Sequence, residues 1–178
     1  MVDKSYRVYL RELCEADIND EYLSWFANSQ VTEFLNARNL TKNDVLEYIE
    51  IGKESQTYFM HAICDVETDR HIGNLKIGPI DRDNMTSDLV TLIGNVDFWG
   101  KGLATEAIEL GNTLAFDKYD VRKLTGGICS NNIGSIKCYT RAGWIIEGTL
   151  KEHYIVEGKM YDRVCVSCFN PKYSALGN

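Results

Sequence analysis

Two glycines flanking a lysine, Gly100-Lys101-Gly102, stand between a β-type run over 89–94 and a segment with apolar residues at 103, 107, 110 and 114. That spacing predicts a helix over 103–116 buried along one face, and the run before it predicts a strand. A chain that passes from strand to helix through G-x-G can turn tightly, because glycine accepts positive φ without steric penalty. The unpaired amides then converge at the helix N-terminus, where the macrodipole adds partial positive charge. A phosphate or pyrophosphate is the expected occupant. Taken alone, the turn reads equally well as tight packing. Two nucleotide motifs are set aside: G-x-x-x-x-G-K-[ST] is absent, and Gly100 to Thr105 lacks the third glycine of the dinucleotide fingerprint.

The rest of the chain alternates between two periods. A first strand is predicted over 6–10, then an amphipathic segment opened by Glu15-Ala16-Asp17, in which Ile18, Tyr22, Trp25 and Phe26 recur at helical spacing. Thr41 is the expected N-cap of a second helix carrying Val45, Leu46 and Ile49. Runs 59–64 and 72–77 predict a hairpin around Glu67-Thr68-Asp69-Arg70. After the helix over 103–116 come a strand over 123–129 and a short helix over 133–142, opened by Asn131-Asn132 and closed by Gly143. A strand from Trp144 continues past a bend through 153–156, and 162–169 is the last. The order βααβββαβαββ implies an α/β (α+β) fold with a mixed sheet and helices on both faces.

Only two prolines and no low-complexity run interrupt 178 residues, so 1–178 is read as a single domain. A net charge of −7, from 19 Lys+Arg and 26 Asp+Glu, argues against nucleic acid as a partner, because phosphate binding needs a basic field. The charges Asp3, Lys4, Arg7, Arg11, Glu12, Glu15, Asp17 and Asp20 leave no apolar leader, and no later stretch would span a bilayer. The expectation is a soluble cytoplasmic protein with no membrane partner, its six scattered cysteines reduced and mostly buried. Cys165 and Cys168 sit at an odd offset in a strand and so face opposite sides, and His61 and His71 have no ligand-spaced partner. No metal is expected.

Trp99-Gly100-Lys101-Gly102-Leu103-Ala104-Thr105-Glu106-Ala107, followed by Asn132-Ile133-Gly134-Ser135, Tyr139 and Gly143-Trp144, resembles the GNAT family of acetyl-CoA-dependent N-acetyltransferases. The resemblance runs from Arg7 to Val164 and is closest to the branch of ribosomal-protein N-terminal, spermidine and amino-sugar acetyltransferases. It implies a central, mostly antiparallel twisted sheet of about seven strands, splayed at the acyl-CoA site. Acetyl-CoA is the implied cosubstrate. Its pyrophosphate would lie on amides of Gly100, Lys101, Gly102, Leu103, Ala104 and Thr105, and its pantetheine arm along main-chain groups of Leu92, Ile93 and Gly94. Asn132, Ser135 and Tyr139 would meet it from the other side. The family places Gln or Arg three residues before Gly100; Asp97 stands there, so the turn relies on backbone rather than on side-chain cations.

Acetyl transfer to an amine needs a neutral nitrogen, a donor for the developing oxyanion and an acid for the leaving thiolate. The resemblance implies Tyr139 as that acid, with Ser135 as a fallback donor. A phenol with an ordinary pKa of about 10 holds its proton at neutral pH. Asp88 matches a position where the branch carries Glu and is the first candidate base, with Glu152 and His153 as alternatives. Trp25 and Phe34 are the aromatics expected to touch substrate first, if the leading helices form a lid. The acceptor is read as a small primary amine, an amino sugar or nucleotide-linked amino sugar ahead of a polyamine. A ribosomal-type protein N-terminus and a non-catalytic acyl-CoA-binding domain are the competing readings, and a homodimer is left open.

Overall fold

Side chains alternate along the second strand between two apolar layers, and this divides the molecule. In the computed structural model, which describes residues 5–174, that strand is β2 (Phe59–Asp65). Asp3 and Lys4, counted above, lie outside the described residues. Ile63 joins Leu75, Ile77 and Leu89 under a helix that supplies Leu103, Ala107, Ile108 and Ala115. Ala62 and Cys64 point the other way, toward Tyr22, Trp25, Phe26, Val45 and Ile49. The period of two in the strands thus builds a three-layer sandwich with helices on both faces.

The sheet is open and seven-stranded, in the order β1-β2-β3-β4-β5-β7-β6. Its strands are β1 (Val8–Glu12), β2, β3 (His71–Asp81), β4 (Thr86–Ile93), β5 (Lys123–Cys129), β6 (Ile145–Val156) and β7 (Lys159–Phe169). Every neighbouring pair is antiparallel except β4 with β5. One face carries α1 (Asp20–Ala27), the short α2 (Ser29–Thr32) and α3 (Lys42–Ser55); the other carries α4 (Leu103–Asp117) and α5 (Ile133–Arg141). A last turn, α6 (Pro171–Ser174), follows β7. Helix α4 comes down on the sheet at Gly111, where a methyl group would stand 2.5 Å from Leu75 Cδ1. Fully buried Ala107 and Ala115 one turn to either side keep that approach close.

Most element expectations hold, and the differences have local causes. Glu15–Asp17 forms a separate 3-10 turn rather than the start of α1. The Asp17 carboxylate folds back onto the Cys14 amide at 2.9 Å and accepts two bonds from Arg11, which closes the turn early. Asn19 then caps α1 by accepting from the Tyr22 amide at 3.0 Å. Thr41 caps α3 in a reciprocal box with Asp44. Strands β6 and β7 meet in a two-residue hairpin at Glu157-Gly158, both at positive φ, which starts β7 at Lys159 rather than 162. Of the cysteines, all free, Cys64 and Cys129 are buried and Cys14 is exposed, so burial is less general than expected.

His61 on β2 is 2% exposed; its Nε2 lies 3.4 Å from the Tyr119 hydroxyl and its Nδ1 has no partner among the described residues. Burial, with Lys118 acting in the same sense and Glu12 opposing, pushes its pKa down to about 4. Between the ordinary histidine value of about 6.5 and that depressed one, the unfolded chain binds a proton that the native chain does not. His61 therefore imposes no penalty above the upper value and destabilises progressively as pH falls, by about 3 kcal/mol at full extent. Urea unfolding at pH 7 and pH 4.5 should show a smaller loss for His61→Gln than for the wild type. Identical losses would contradict this.

Candidate active site

Strands β4 and β5 pair only at Thr86↔Lys123, Ser87↔Leu124 and Asp88↔Thr125. Beyond that point β4 stays with β3 through Ile93, while β5 stays with β7 through Cys129, and the two part. This is the splay implied by the resemblance. A parting strand edge leaves main-chain groups that need other partners. Two aromatic side chains supply them: the Tyr139 hydroxyl donates to the Leu89 carbonyl at 2.9 Å, and the Trp99 indole donates to the Ile93 carbonyl at 2.8 Å.

Antiparallel pairing fixes which β4 groups face the gap. The Gly94 amide donates to Ile72 at 2.9 Å, so Gly94 and, two residues back, Leu92 direct their main chain at β3. Of the three main-chain sites expected to meet the pantetheine arm, only Ile93 turns toward the opening. Thr91, midway between Leu89 and Ile93, is the residue that was missed, and strand alternation was its signal.

At the head of α4, Gly100 and Gly102 hold φ of 73° and 82°, and Gly102 is the N-cap without any side-chain cap. Amides of Gly100, Lys101, Gly102, Leu103 and Ala104 make no hydrogen bond among the described residues, whereas Thr105 donates back to Gly102 at 3.1 Å. Thr105 is thus removed from the expected donor set. Nothing lies within 4 Å of a Cβ placed on Gly100, so its face is open. Lys101 Nζ sits over the Phe98 ring at 5.0 Å, and exposed Asp97 brings no cation. Arg7 clamps the turn instead, donating to the Lys101 carbonyl at 2.8 Å and pairing with Glu106.

Asn132 caps α5 by accepting from the Ser135 amide at 3.0 Å, which places both residues at that helix's N-terminus. Tyr139, one turn further, is 5% exposed, and burial pushes its pKa well above the ordinary phenol value. Trp144 packs edge-on against it at 4.8 Å, donates to Asn112 Oδ1 at 3.0 Å and so ties α5 to α4.

The opposite face of the sheet carries the other candidates. Leu89 and Ile93 enter the α4 layer and Leu92 the α1–α3 layer, so alternation sends Asp88 to the α1–α3 face. There it accepts a short hydrogen bond from the Thr125 hydroxyl. On the same face, a cleft of about 550 Å³ opens between the segment after α2 and the ends of β5 and β6, lined in part by Thr32, Phe34, Arg38, Gly127, Cys129 and Tyr154. Phe34, one of the two aromatics expected to touch substrate, lines this cleft. Trp25 does not: it is 5% exposed and lies against Gly94, where a methyl group would meet its ring at 2.1 Å. Glu152 and His153 are exposed and outside the cleft lining. Glu152 takes positive φ where the β6–β7 register slips between Leu150 and Tyr154, and the bend brings Tyr154 inward instead. Among the described residues no cluster of three His, Cys, Asp or Glu is placed to hold a metal, and no helix is long and apolar enough to cross a membrane.

This architecture defines a class, a split sheet with an open glycine turn at a helix N-terminus on one side and a cleft on the other. An acetyltransferase (GNAT) domain is matched over residues 7–145, and the chain belongs to the GNAT family of N-acetyltransferases. It is 26% identical over 168 residues to an uncharacterized N-acetyltransferase of Bacillus licheniformis, covering 92% of each chain. Its fold resembles spermidine N-acetyltransferase from Vibrio cholerae, solved with CoA and spermine, at a TM-score of 0.83 and 17% identity, over 94% of this chain and 98% of that one. Ribosomal-protein-S5-alanine acetyltransferase from Vibrio fischeri gives 0.80 and 17%, over 96% and 97%.

Trp144→Phe removes the buried donor to Asn112 Oδ1 and should lower unfolding stability by about 1–3 kcal/mol. Chemical denaturation measures this, and an unchanged midpoint would show that the Trp144–Asn112 bond does not hold α5.

Proposed function

We propose that this chain transfers the acetyl group of acetyl-CoA to the primary amine of a small acceptor, an amino sugar or nucleotide-linked amino sugar, by direct attack in a ternary complex. The observation that carries it is the two-sided arrangement about the parting strands: the open glycine turn and Tyr139 on the α4–α5 side, Asp88 and the cleft on the other.

The chain's groups fit acetyl-CoA, which supplies an activated thioester carbonyl when bound. Five amides at residues 100–104 without a partner among the described residues, under the α4 dipole, would hold the pyrophosphate. The edge of β4 about Thr91, which also approaches the Tyr139 hydroxyl, would lie along the pantetheine arm. Tyr139 keeps its proton at neutral pH, since burial raises its pKa, and its hydroxyl lies at the start of the gap. It donates to the departing thiolate, with Ser135 as the second donor. Asp88 accepts the proton of the incoming amine, its carboxylate oriented by Thr125. A polyamine acceptor is the second reading, favoured by Glu33 and Glu157 in the cleft wall, although Arg38 lines the same wall.

Thiol release on incubation with acetyl-CoA and separate panels of amino sugars, polyamines and ribosomal proteins tests the reaction and the acceptor together. Silence in all three panels with CoA still bound would point to a non-catalytic acyl-CoA-binding domain. Tyr139→Phe should lower kcat by about 100-fold while acetyl-CoA affinity stays nearly unchanged. Unaltered turnover would remove Tyr139 as the acid.

A further inference from the structure

Beneath the cleft, the Arg163 side chain of β7 lies flat across Gly127 of β5. A methyl group on Gly127 would stand 2.0 Å from its Nε and 2.2 Å from its Cζ, so the glycine is what lets the guanidinium rest there. Gly127 and Tyr154 both line the cleft, and the Tyr154 hydroxyl donates to the Gly127 carbonyl at 3.3 Å beside that guanidinium. Arg163 forms no ion pair among the described residues. Its chain neighbour Asp162 is committed elsewhere, to Lys151 at 2.9 Å and to the Glu152 amide at 3.0 Å. Arg163 is half-buried, stands behind Gly127 and Tyr154 rather than in the cleft lining, and turns part of its guanidinium to the Tyr154 hydroxyl, which leaves the rest of its forked donors for a planar or tetrahedral oxyanion. Arg38, which lines the cleft and is also without an ion pair among the described residues, adds a second cation from the segment after α2.

Spacing limits what that oxyanion belongs to. Asp88 registers with Thr125 and Arg163 with Cys129, four residues further along β5, on strands to either side of it. At about 3.3 Å per residue and 4.8 Å between strands, their Cα atoms are of order 15 Å apart. Side-chain reach narrows this to the width of a sugar ring. An α-amino acid, with amine and carboxylate on one carbon, does not bridge it.

We infer that the acceptor carries a phosphate remote from its amine, and that Arg163, assisted by Arg38, binds it. This rests on the acetyl-transfer reading above and deepens it: the acceptor is a phosphorylated or nucleotide-linked amino sugar rather than a polyamine.

The test uses matched acceptors with and without phosphate, glucosamine against glucosamine 6-phosphate and a free 4-amino sugar against its uridine-diphosphate conjugate, by calorimetry and by thiol release. In at least one pair the phosphorylated member should bind 10- to 100-fold more tightly, the size of a charge-assisted pair. Arg163→Gln should erase that advantage, Arg163→Lys should keep part of it, and Gly127→Ala, which displaces the guanidinium without removing it, should weaken it. Acetyl-CoA affinity and melting temperature serve as controls for folding. Equal binding within both pairs, or a preference that survives Arg163→Gln in a folded variant, would overturn the assignment. Thiol release with spermidine alone, indifferent to Arg163→Gln, would overturn it while leaving acetyl transfer intact. A phosphate preference that depends on Arg163, without thiol release from any acceptor, would support the site and remove the reaction.

Discussion

Strands β4 and β5 are joined by three residue pairs and then separate, and the working parts of the molecule are arranged around that separation. A sheet interior does not ordinarily tolerate a missing ladder, because each unpaired buried carbonyl or amide costs about 1–3 kcal/mol. Here the exposed edge of β4 is stabilised by side chains. The Tyr139 hydroxyl closes the near end at Leu89 and the Trp99 indole closes the far end at Ile93, with Thr91 left between them. The two aromatics come from different motifs, one ahead of the glycine turn and one on the short helix α5. They hold the gap open without leaving its ends unsatisfied.

In the proposed reaction that division also separates the chemical tasks. An activated acyl group and the amine that attacks it would meet from opposite directions, and a split sheet provides one opening with two differently furnished approaches. On the α4–α5 side the furnishing is backbone: unpaired amides, a helix dipole and two glycines at positive φ. The α1–α3 side is furnished with side chains, since alternation along β4, β5 and β7 brings Asp88, Thr125 and Arg163 to one face. Backbone recognition depends little on which residues surround it. Side-chain recognition varies with every substitution, and this is why members of one family can share a donor and differ in acceptor.

The same distinction explains what was legible in the sequence. Gly100 and Gly102, the 3.6-residue period of α4 and the Thr41 cap are local signals, and each element they predict is present. Where contacts are non-local, expectation and structure diverge. Helical spacing marks Trp25 for packing and only the family resemblance suggests a lid; Gly94, nearly seventy residues away, gives its ring a place in the core. Glu152 and His153 are alternative bases by sequence, but the β6–β7 register slip turns them outward and Tyr154 inward. Nothing within β6 alone announces that slip, because it is set by pairing with β7.

Arg163 marks the border between those two kinds of information. In sequence it is one of several arginines, adjacent to an aspartate that invites a local ion pair. In the fold, Asp162 pairs with Lys151 across the hairpin, and strand alternation carries Arg163 to the other face, over Gly127. The paired glycines at 126 and 127 were the available sign, since glycine inside a strand weakens the strand and commonly marks close approach by another group. A half-buried positive charge whose one side-chain contact is a neutral hydroxyl is destabilising unless something of opposite charge completes it. Asp162 is committed to Lys151, and under the proposal above the completing charge is the phosphate of the acceptor.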